Sequence, residues 1–145
     1  MSGRFKGEDP STDEIKDILK AQVQGHPAIK LAILYGSFAQ GRQRPDSDID
    51  LAVAADDRME LAEDTLIDLS VAASKRTGRE VQVRDLARAQ GLFLKEVLTT
   101  GEVIYQTDPA VRGRLISRML GFVEDFLPIV RRIRKRHRER FLAGE

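Results

Sequence analysis

The chain has 145 residues, of which 41% are hydrophobic, and it contains no cysteine. This length suits one globular domain with its own core. The lack of cysteine excludes a disulfide framework and thiolate chemistry. No apolar run approaches the roughly 20 residues that span a bilayer. The 24 basic and 23 acidic residues nearly cancel at a net charge of +1, and the polar first ten residues lack the apolar segment of a secretory signal, which makes the cytoplasm the expected location.

The first predicted elements are a helix and a strand. Residues 1–10 are expected to form a disordered leader, after which Ser11 and Glu14 have the spacing of a reciprocal helix cap. Apolar residues then recur on one helical face, at Ile15, Ile18, Leu19 and Val23. The helix is expected to end at residues 25–27, and the unbroken apolar run over residues 29–35 predicts a strand that is buried on both faces.

The most informative stretch follows this strand and reads Gly-Ser-Phe-Ala-Gln-Gly-Arg-Gln-Arg-Pro-Asp-Ser-Asp-Ile-Asp over residues 36–50. Asp48 and Asp50 are two positions apart where a second strand begins, so both carboxylates project from the same face. The usual neutraliser of such a pair beside a phosphate-bearing substrate is a divalent cation such as Mg²⁺. Gly36 lets backbone N–H groups approach a phosphate, and the Ser37 hydroxyl adds a donor. These parts predict a nucleoside triphosphate site.

The rest of the chain alternates strands and helices before a long final helix. Asp85 is placed to cap the third helix, and Pro109 stands in the first turn of the last one. The predicted segments are strands at residues 49–55, 79–84 and 102–106 and helices at residues 58–76, 86–99 and from 109 onward. This order predicts an α/β (α+β) fold with a small mixed β-sheet and packed helices.

The final helix carries an apolar stripe and a basic end. Its apolar residues recur at spacings of three or four, at Val111, Leu115, Met119, Phe122, Phe126, Ile129 and Ile133. Pro128 is expected to kink the helix, and because so small a body cannot cover its whole length, part of the stripe is expected to face another chain. Residues 131–140 hold seven Lys or Arg residues against one glutamate, a net +6 that leaves −5 for the rest of the chain. This basic tail fits a solvated helix end, an acidic partner or nucleic acid, and the adjoining stripe favours a partner.

Gly36-Ser37, ten intervening residues and Asp48-Ile49-Asp50 resemble the signature of the DNA polymerase beta-like nucleotidyltransferase superfamily. The small chain and the Gly-Ser-Phe-Ala-Gln-Gly segment are most similar to its minimal members, the MntA-type antitoxins, which partner HEPN-domain toxins of the HepT type. The likeness covers roughly residues 12–108.

The resemblance implies a division of the chain and a reaction. Residues 11–108 would form a polymerase beta-like nucleotidyltransferase domain, and residues 109–145 a helix that packs on this domain or on a partner. Asp48 and Asp50 would be the catalytic residues that hold Mg²⁺, with the nucleotide bound near Gly36 and Ser37. AMP would pass from ATP to a tyrosine of a HEPN toxin, with which the chain would form a hetero-oligomer.

One position departs from the family pattern. Superfamily members usually supply a third carboxylate from a later strand, which lies beside the aspartate pair and can take the proton of the attacking hydroxyl. Here that strand reads Val-Gln-Val-Arg-Asp-Leu, so Gln82 stands at the third-carboxylate position. Glu80 shares the face of Gln82 but lies two residues away, and Asp85 is expected on the opposite face. A glutamine cannot act as a base, so slow catalysis is expected.

Alternative hypotheses remain at this point. One is neutralisation of a toxin by binding alone, with the chemistry lost at Gln82. Another is transfer of a nucleotide to a small molecule such as an aminoglycoside. Binding of nucleic acid through the basic tail ranks last. Arg42 and Arg44 fit contacts to triphosphate oxygens or a solvated loop, Asp46 fits a turn, and Tyr35 fits the core or a pocket wall.

Overall fold

A computed structural model describes residues 10–39, 41 and 47–142, so the predicted leader lies largely outside the described residues. The elements in chain order are α1 (Thr12–Gln24), β1 (Leu31–Tyr35), β2 (Ile49–Ala54), α2 (Glu63–Thr77), β3 (Val81–Asp85), a 3₁₀ turn (Leu86–Arg88), α3 (Gly91–Thr100), β4 (Glu102–Gln106) and α4 (Pro109–Leu142). No helix in this part of the chain is both long and apolar enough to cross a membrane.

The four strands form one mixed sheet in the order β3-β2-β1-β4. β1 is antiparallel to both β2 and β4, whereas β2 and β3 are parallel. Every residue of β1 is buried, as its unbroken apolar run predicts. The prediction of a small mixed sheet with packed helices is confirmed, and β3 and β4 are its two edges.

Helices cover both faces of this sheet and create two apolar clusters. On one face α1 and α2 pack against the sheet, with Ile15, Leu19, Leu51, Leu69 and Val81 among the buried side chains. On the other face α3 and the first turns of α4 do so, with Ile33, Ala52, Leu94, Val111 and Leu115 among them. The predicted capping box of α1 is present, since the Ser11 hydroxyl accepts from Glu14 N–H and the Glu14 carboxylate accepts from Ser11 N–H.

The predicted start of the second helix at residue 58 is wrong. α2 begins at Glu63, and Ala62, which was expected on its apolar face, is an exposed N-cap. The preceding segment stays non-helical because Leu61 N–H donates to the buried Asp85 carboxylate at 2.7 Å, which ties it to the end of β3.

The predicted helix over residues 86–99 is two elements. Asp85 caps only the 3₁₀ turn, where its carboxylate accepts from Ala87 N–H at 2.9 Å. Gln90 is extended and Gly91, the first residue of α3, has a φ of +60°, so the backbone turns where α3 begins. A Cβ on Gly91 would lie 3.4 Å from the Phe122 ring, which shows how closely α4 approaches this turn.

α4 is 34 residues long and leaves the body of the protein partway along. Val111, Leu115 and Met119 are buried, but Ile129 and Ile133 are exposed. Part of the apolar stripe is thus exposed, and the expectation that it faces another chain stays a prediction. Pro128 lies inside the helix, and the kink expected there stays a prediction.

Candidate active site

Polar side chains from neighbouring strands meet at one end of the sheet. Tyr35, Asp50 and Gln82 are directly paired across β1, β2 and β3, so their side chains form a row on one face. Asp48 shares this face because it lies two positions before Asp50. The Gln82 amide donates a long hydrogen bond, 3.5 Å, to the Asp48 carboxylate. We call Asp48, Asp50 and Gln82 the acidic cluster.

Gly36 follows β1 directly and touches the acidic cluster. Its φ is +79°, and a Cβ at this position would lie 2.5 Å from the Asp50 Oδ2 atom. Both the backbone conformation and the space therefore require glycine. Ser37 comes next in a turn and is half-buried. The predicted glycine and serine thus stand at the same end of the sheet as the carboxylates, whereas Arg42, Arg44 and Asp46 lie outside the described residues.

The acidic cluster carries an excess of negative charge. Burial raises the pKa of the Asp50 carboxyl, the neighbouring Asp48 charge raises it further, and Arg84 opposes this effect. Burial, followed by the Asp50 charge, raises the pKa of Tyr35 to about 12, so its phenol stays protonated at neutral pH. A cation bound between the two carboxylates would relieve their repulsion.

Neither Glu80 nor Asp85 replaces the carboxylate missing at Gln82. Glu80 is exposed, and its backbone carbonyl accepts from Ile49 N–H at 2.9 Å. Asp85 is buried and accepts from the Leu61 and Ala87 N–H groups instead. Across residues 10–39, 41 and 47–142, no group of three or more His, Cys, Asp or Glu side chains is arranged to hold a metal ion.

Two residues beside the cluster were missed by the sequence analysis. Arg84 lies two positions after Gln82 on β3, and its guanidinium stands 5.2 Å over the ring of Phe93. Phe93 in turn makes an edge contact with Tyr35, with ring centroids 5.5 Å apart. The alternation of side chains along a strand is a signal that would have found Arg84. Phe93 comes from α3, and only the tertiary structure brings it here.

Comparisons with known proteins identify the family of this chain. The family described as "Polymerase beta, Nucleotidyltransferase" matches residues 13–110. A protein adenylyltransferase MntA of Shewanella oneidensis is 30% identical over 90 residues, which are 62% of this chain. The matched part spans 63% of the length of that curated relative.

Solved structures share the fold at low sequence identity. A toxin-antitoxin structure with AMP-PNP is similar at a TM-score of 0.66 and 23% identity, over 81% of this chain and 97% of the other. The solved complex of MNT antitoxin with a tri-AMPylated Shewanella oneidensis HEPN toxin contains a chain similar to this one. The TM-score is 0.63 at 20% identity, and the match covers 85% of this chain and 98% of that chain. Because the family match covers well over half of the sequence, this chain belongs to the polymerase beta nucleotidyltransferase family.

Proposed function

We propose that this protein is a Mg²⁺-dependent nucleotidyltransferase that acts as an antitoxin by transferring AMP from ATP to a tyrosine of a HEPN-domain toxin. The observation that carries the proposal is the acidic cluster, in which Asp48 and Asp50 share one face beside Gly36. The similarity to a protein adenylyltransferase MntA supports the choice of AMP. The similarity to the solved complex of an MNT antitoxin with a tri-AMPylated HEPN toxin supports a toxin as acceptor. ATP, Mg²⁺ and the toxin are the partners that follow.

The residues present fit a magnesium ion that arrives with its nucleotide. Mg²⁺ is usually held by one or two carboxylates together with substrate phosphates and water, so Asp48 and Asp50 suffice as protein ligands. When bound, the ion polarises phosphoryl oxygens and neutralises developing charge. Gly36 has no side chain, which lets the Asp50 carboxylate lie against its backbone, and Ser37 adds a hydroxyl donor for the triphosphate.

All bonds and protons in the AMP transfer can be accounted for without a protein side chain that acts as a base. The acceptor hydroxyl oxygen attacks the α-phosphorus of ATP, a new P–O bond forms, the bond to the bridging oxygen breaks, and pyrophosphate leaves. The hydroxyl proton passes to water, because the Gln82 amide cannot accept it. General-base assistance is typically worth about 10²–10⁴-fold, so transfer is expected to be slow rather than absent.

α4 supplies the proposed binding surface for the toxin. Its outer half exposes Ile129 and Ile133, at 46% and 50%, beside the basic residues 131–140. An apolar stripe bordered by charge is typical of a partner-binding helix. We therefore keep the division into a catalytic domain over residues 11–108 and a helix over residues 109–145 as part of the proposal, with a hetero-oligomer as its assembly.

A second candidate function retains the binding and abandons the chemistry. It is favoured by Gln82, whose side chain stands at the third-carboxylate position and bonds to Asp48. In this case the protein masks its toxin through α4 and the sheet end. Both candidates predict a complex, and they differ only in whether the toxin gains mass.

Intact-mass measurement of a HEPN-domain toxin separates the two. After incubation with this protein and Mg·ATP, the wild type is expected to add one or more AMP masses. Asp48→Asn with Asp50→Asn removes both carboxylates at constant shape and is expected to abolish the gain. Gln82→Asp restores the third carboxylate and is expected to increase the initial rate by about 10²-fold or more.

The outcomes assign the function directly. An unshifted toxin at saturating ATP that is nevertheless neutralised, also by the double asparagine variant, supports neutralisation by binding alone. A mass gain only with Gln82→Asp identifies a transferase site that has lost its base. A mass gain that survives in the double asparagine variant would refute the assignment of Asp48 and Asp50.

A further inference from the structure

The free edge of β3 offers unpaired backbone groups at one place. In the parallel ladder, Ile49 N–H donates to the Glu80 carbonyl, so odd-numbered β3 residues direct their backbone groups away from β2. Those of Val81 are bonded within the protein, since its N–H donates to the Ser74 hydroxyl and its carbonyl accepts from Ser70. The N–H and C=O of Val83 face outward with no bond to the described residues.

Val83 lies at the floor of a groove between α2 and the start of α3. Two cavities of about 450 and 300 Å³ adjoin each other there and share Leu66, Val83 and Arg88 in their walls. On the α2 side the wall includes Ile67 and Val71, which are 52% and 48% exposed. We call this the β3 groove. A free sheet edge beside exposed apolar side chains of a helix is suited to bind an added polypeptide strand.

The other wall of the β3 groove carries positive charge and leads to the acidic cluster. Arg84 and Arg88 line it together with Phe93 and the buried Asp85. Arg88 already pairs with the Glu60 carboxylate at 3.4 Å, so Arg84 contributes most of the available positive charge. Arg84 lies on the same sheet face as Gln82 and Asp50, and its charge acts on the Asp50 carboxyl. The groove thus offers backbone bonds at Val83, apolar contact on one side and arginines on the other. This combination suits an extended segment that alternates apolar and acidic side chains.

We propose that the AMP acceptor docks such a segment in the β3 groove as a fifth strand of the sheet. The apolar side chains of the docked segment contact α2. Its other side chains, including an acidic one near Arg84 and Arg88, lie on the sheet face that carries the acidic cluster. A side chain in the row of Asp50 and Gln82 lies two strand spacings, about 10 Å, from the Asp50 backbone, so a long side chain extends over Gln82. This inference rests on the proposed transfer, and it names where the acceptor binds.

Charged substitutions on the exposed wall test the proposal. Ile67→Asp and Val71→Asp replace side chains that are half exposed, so the fold tolerates them, and both introduce repulsion toward an acidic segment. Transfer to the HEPN-domain protein at subsaturating concentration is expected to fall at least tenfold through a higher acceptor KM. ATP binding, measured by the shift in melting temperature with Mg·ATP, is expected to be unchanged. Leu92→Asp, at a site that is 62% exposed and outside the groove walls, is the matched control.

Amide hydrogen exchange at Val83 is a second test of the docking, and it does not depend on catalysis. The Val83 N–H is expected to exchange quickly in the free protein and at least tenfold more slowly in the complex. Normal transfer by both variants, with Val83 still unprotected in the complex, would overturn the docking while leaving the transferase function intact. If the Val83 N–H becomes protected as the concentration of this protein alone is raised, the occupant of the groove is a second copy of this chain, which would overturn the docking of the acceptor. If the wild type transfers no AMP, the proposed reaction fails, and Val83 protection still decides the docking.

Discussion

Gly36 is the residue whose size matters most at the acidic cluster. An alanine there must adopt a φ of +79° and place its Cβ only 2.5 Å from the Asp50 Oδ2 atom. The left-handed conformation alone costs about 1–2 kcal/mol, and moving Asp50 adds to this. We expect Gly36→Ala to lose this stability in denaturant unfolding and to weaken Mg·ATP binding by about tenfold or more, measured by calorimetric titration.

Gly78 provides the control for this prediction. It has a φ of +72° at the end of α2, but a Cβ there meets nothing within 4 Å. Gly78→Ala should therefore cost about the same 1–2 kcal/mol without any effect on nucleotide binding. Equal loss of Mg·ATP affinity in both variants would mean that the contact with Asp50 is unimportant.

The raised pKa of Asp50 makes a prediction about stability and pH. A carboxyl group with a higher pKa in the folded state than its usual 3.8 binds its proton more tightly when folded, so its ionisation weakens the fold. This penalty is fully present above the folded-state pKa and is absent below 3.8. Asp50→Asn should therefore stabilise the metal-free protein at pH 7, and the gain should shrink as the pH falls through that window. Urea unfolding in the presence of a chelator measures it.

Asp56 is a control of opposite sign. A hydrogen bond from Arg114 holds the pKa of its carboxyl below the usual value, so its ionised form favours the folded state. Asp56→Asn should slightly destabilise the protein at pH 7, and the difference should vanish once the pH falls through the lowered pKa. The same sign of change in both variants would contradict the account of Asp50.

The acidic cluster shows which site features a sequence can predict. The spacing of Asp48 and Asp50 and the alternation along β3 predict that the two aspartates and Gln82 share a face. The strand register pairs Asp50 with Gln82, and the Gln82 amide reaches the Asp48 carboxylate at 3.5 Å. The contact of Gly36 with Asp50 depends on how β1 ends beside β2, which no local pattern specifies. Phe93 reaches the site only because α3 folds back over the sheet.

At the scale of elements, Arg118 is the residue that fastens α4 to the rest of the protein. Its guanidinium donates to the Leu86 and Ala89 carbonyls at 2.7 Å each and to the Asp57 carbonyl. Arg118→Met removes these bonds, although the Leu86 carbonyl still accepts from Ala89 N–H at 3.1 Å. The substitution is expected to cost about 2–3 kcal/mol in chemical unfolding. Arg114→Met, one turn earlier, removes only exposed pairs with Asp56 and Asp57 and should cost much less. Similar losses would refute this role of Arg118.

The same long-range bonds explain where element boundaries were mispredicted. The sequence from residue 58 has a helical pattern, but Leu61 N–H bonds to Asp85, which is 24 positions away. Arg118 binds the Asp57 carbonyl across 61 positions. Competition from partners so distant in sequence is invisible to periodicity, whereas the α1 cap, made by Ser11 and Glu14, is local and was predicted correctly.

At the scale of the whole molecule, the outer half of α4 contributes little to the stability of the fold. Beyond Met119 the described side chains are half-buried or exposed, and residues 131–140 are all exposed. A chain that ends at Phe126 should unfold within about 0.5 kcal/mol of the full chain. It should nevertheless bind the HEPN-domain protein at least tenfold more weakly in a pull-down titration, because the exposed stripe is lost.

A second variant separates the stripe from the charge. Ile129→Ser with Ile133→Ser keeps the helix and its basic residues, and it should weaken the complex nearly as much as truncation does. Full affinity in this variant would assign the binding to the basic tail instead. Lower stability of the truncated chain would show that α4 supports the fold along its whole length.

The position of β4 at the edge of the sheet also governs the order in which the chain folds during synthesis. β1 pairs with β4, whose residues follow about seventy positions later, so one side of the fully apolar β1 stays unpaired in the nascent chain. At about 5–20 residues per second the ribosome needs roughly 4–14 s to supply the missing strand. An open apolar strand edge is prone to aggregation. Chaperone binding to nascent chains should therefore be strongest after β1 emerges and should end when β4 does.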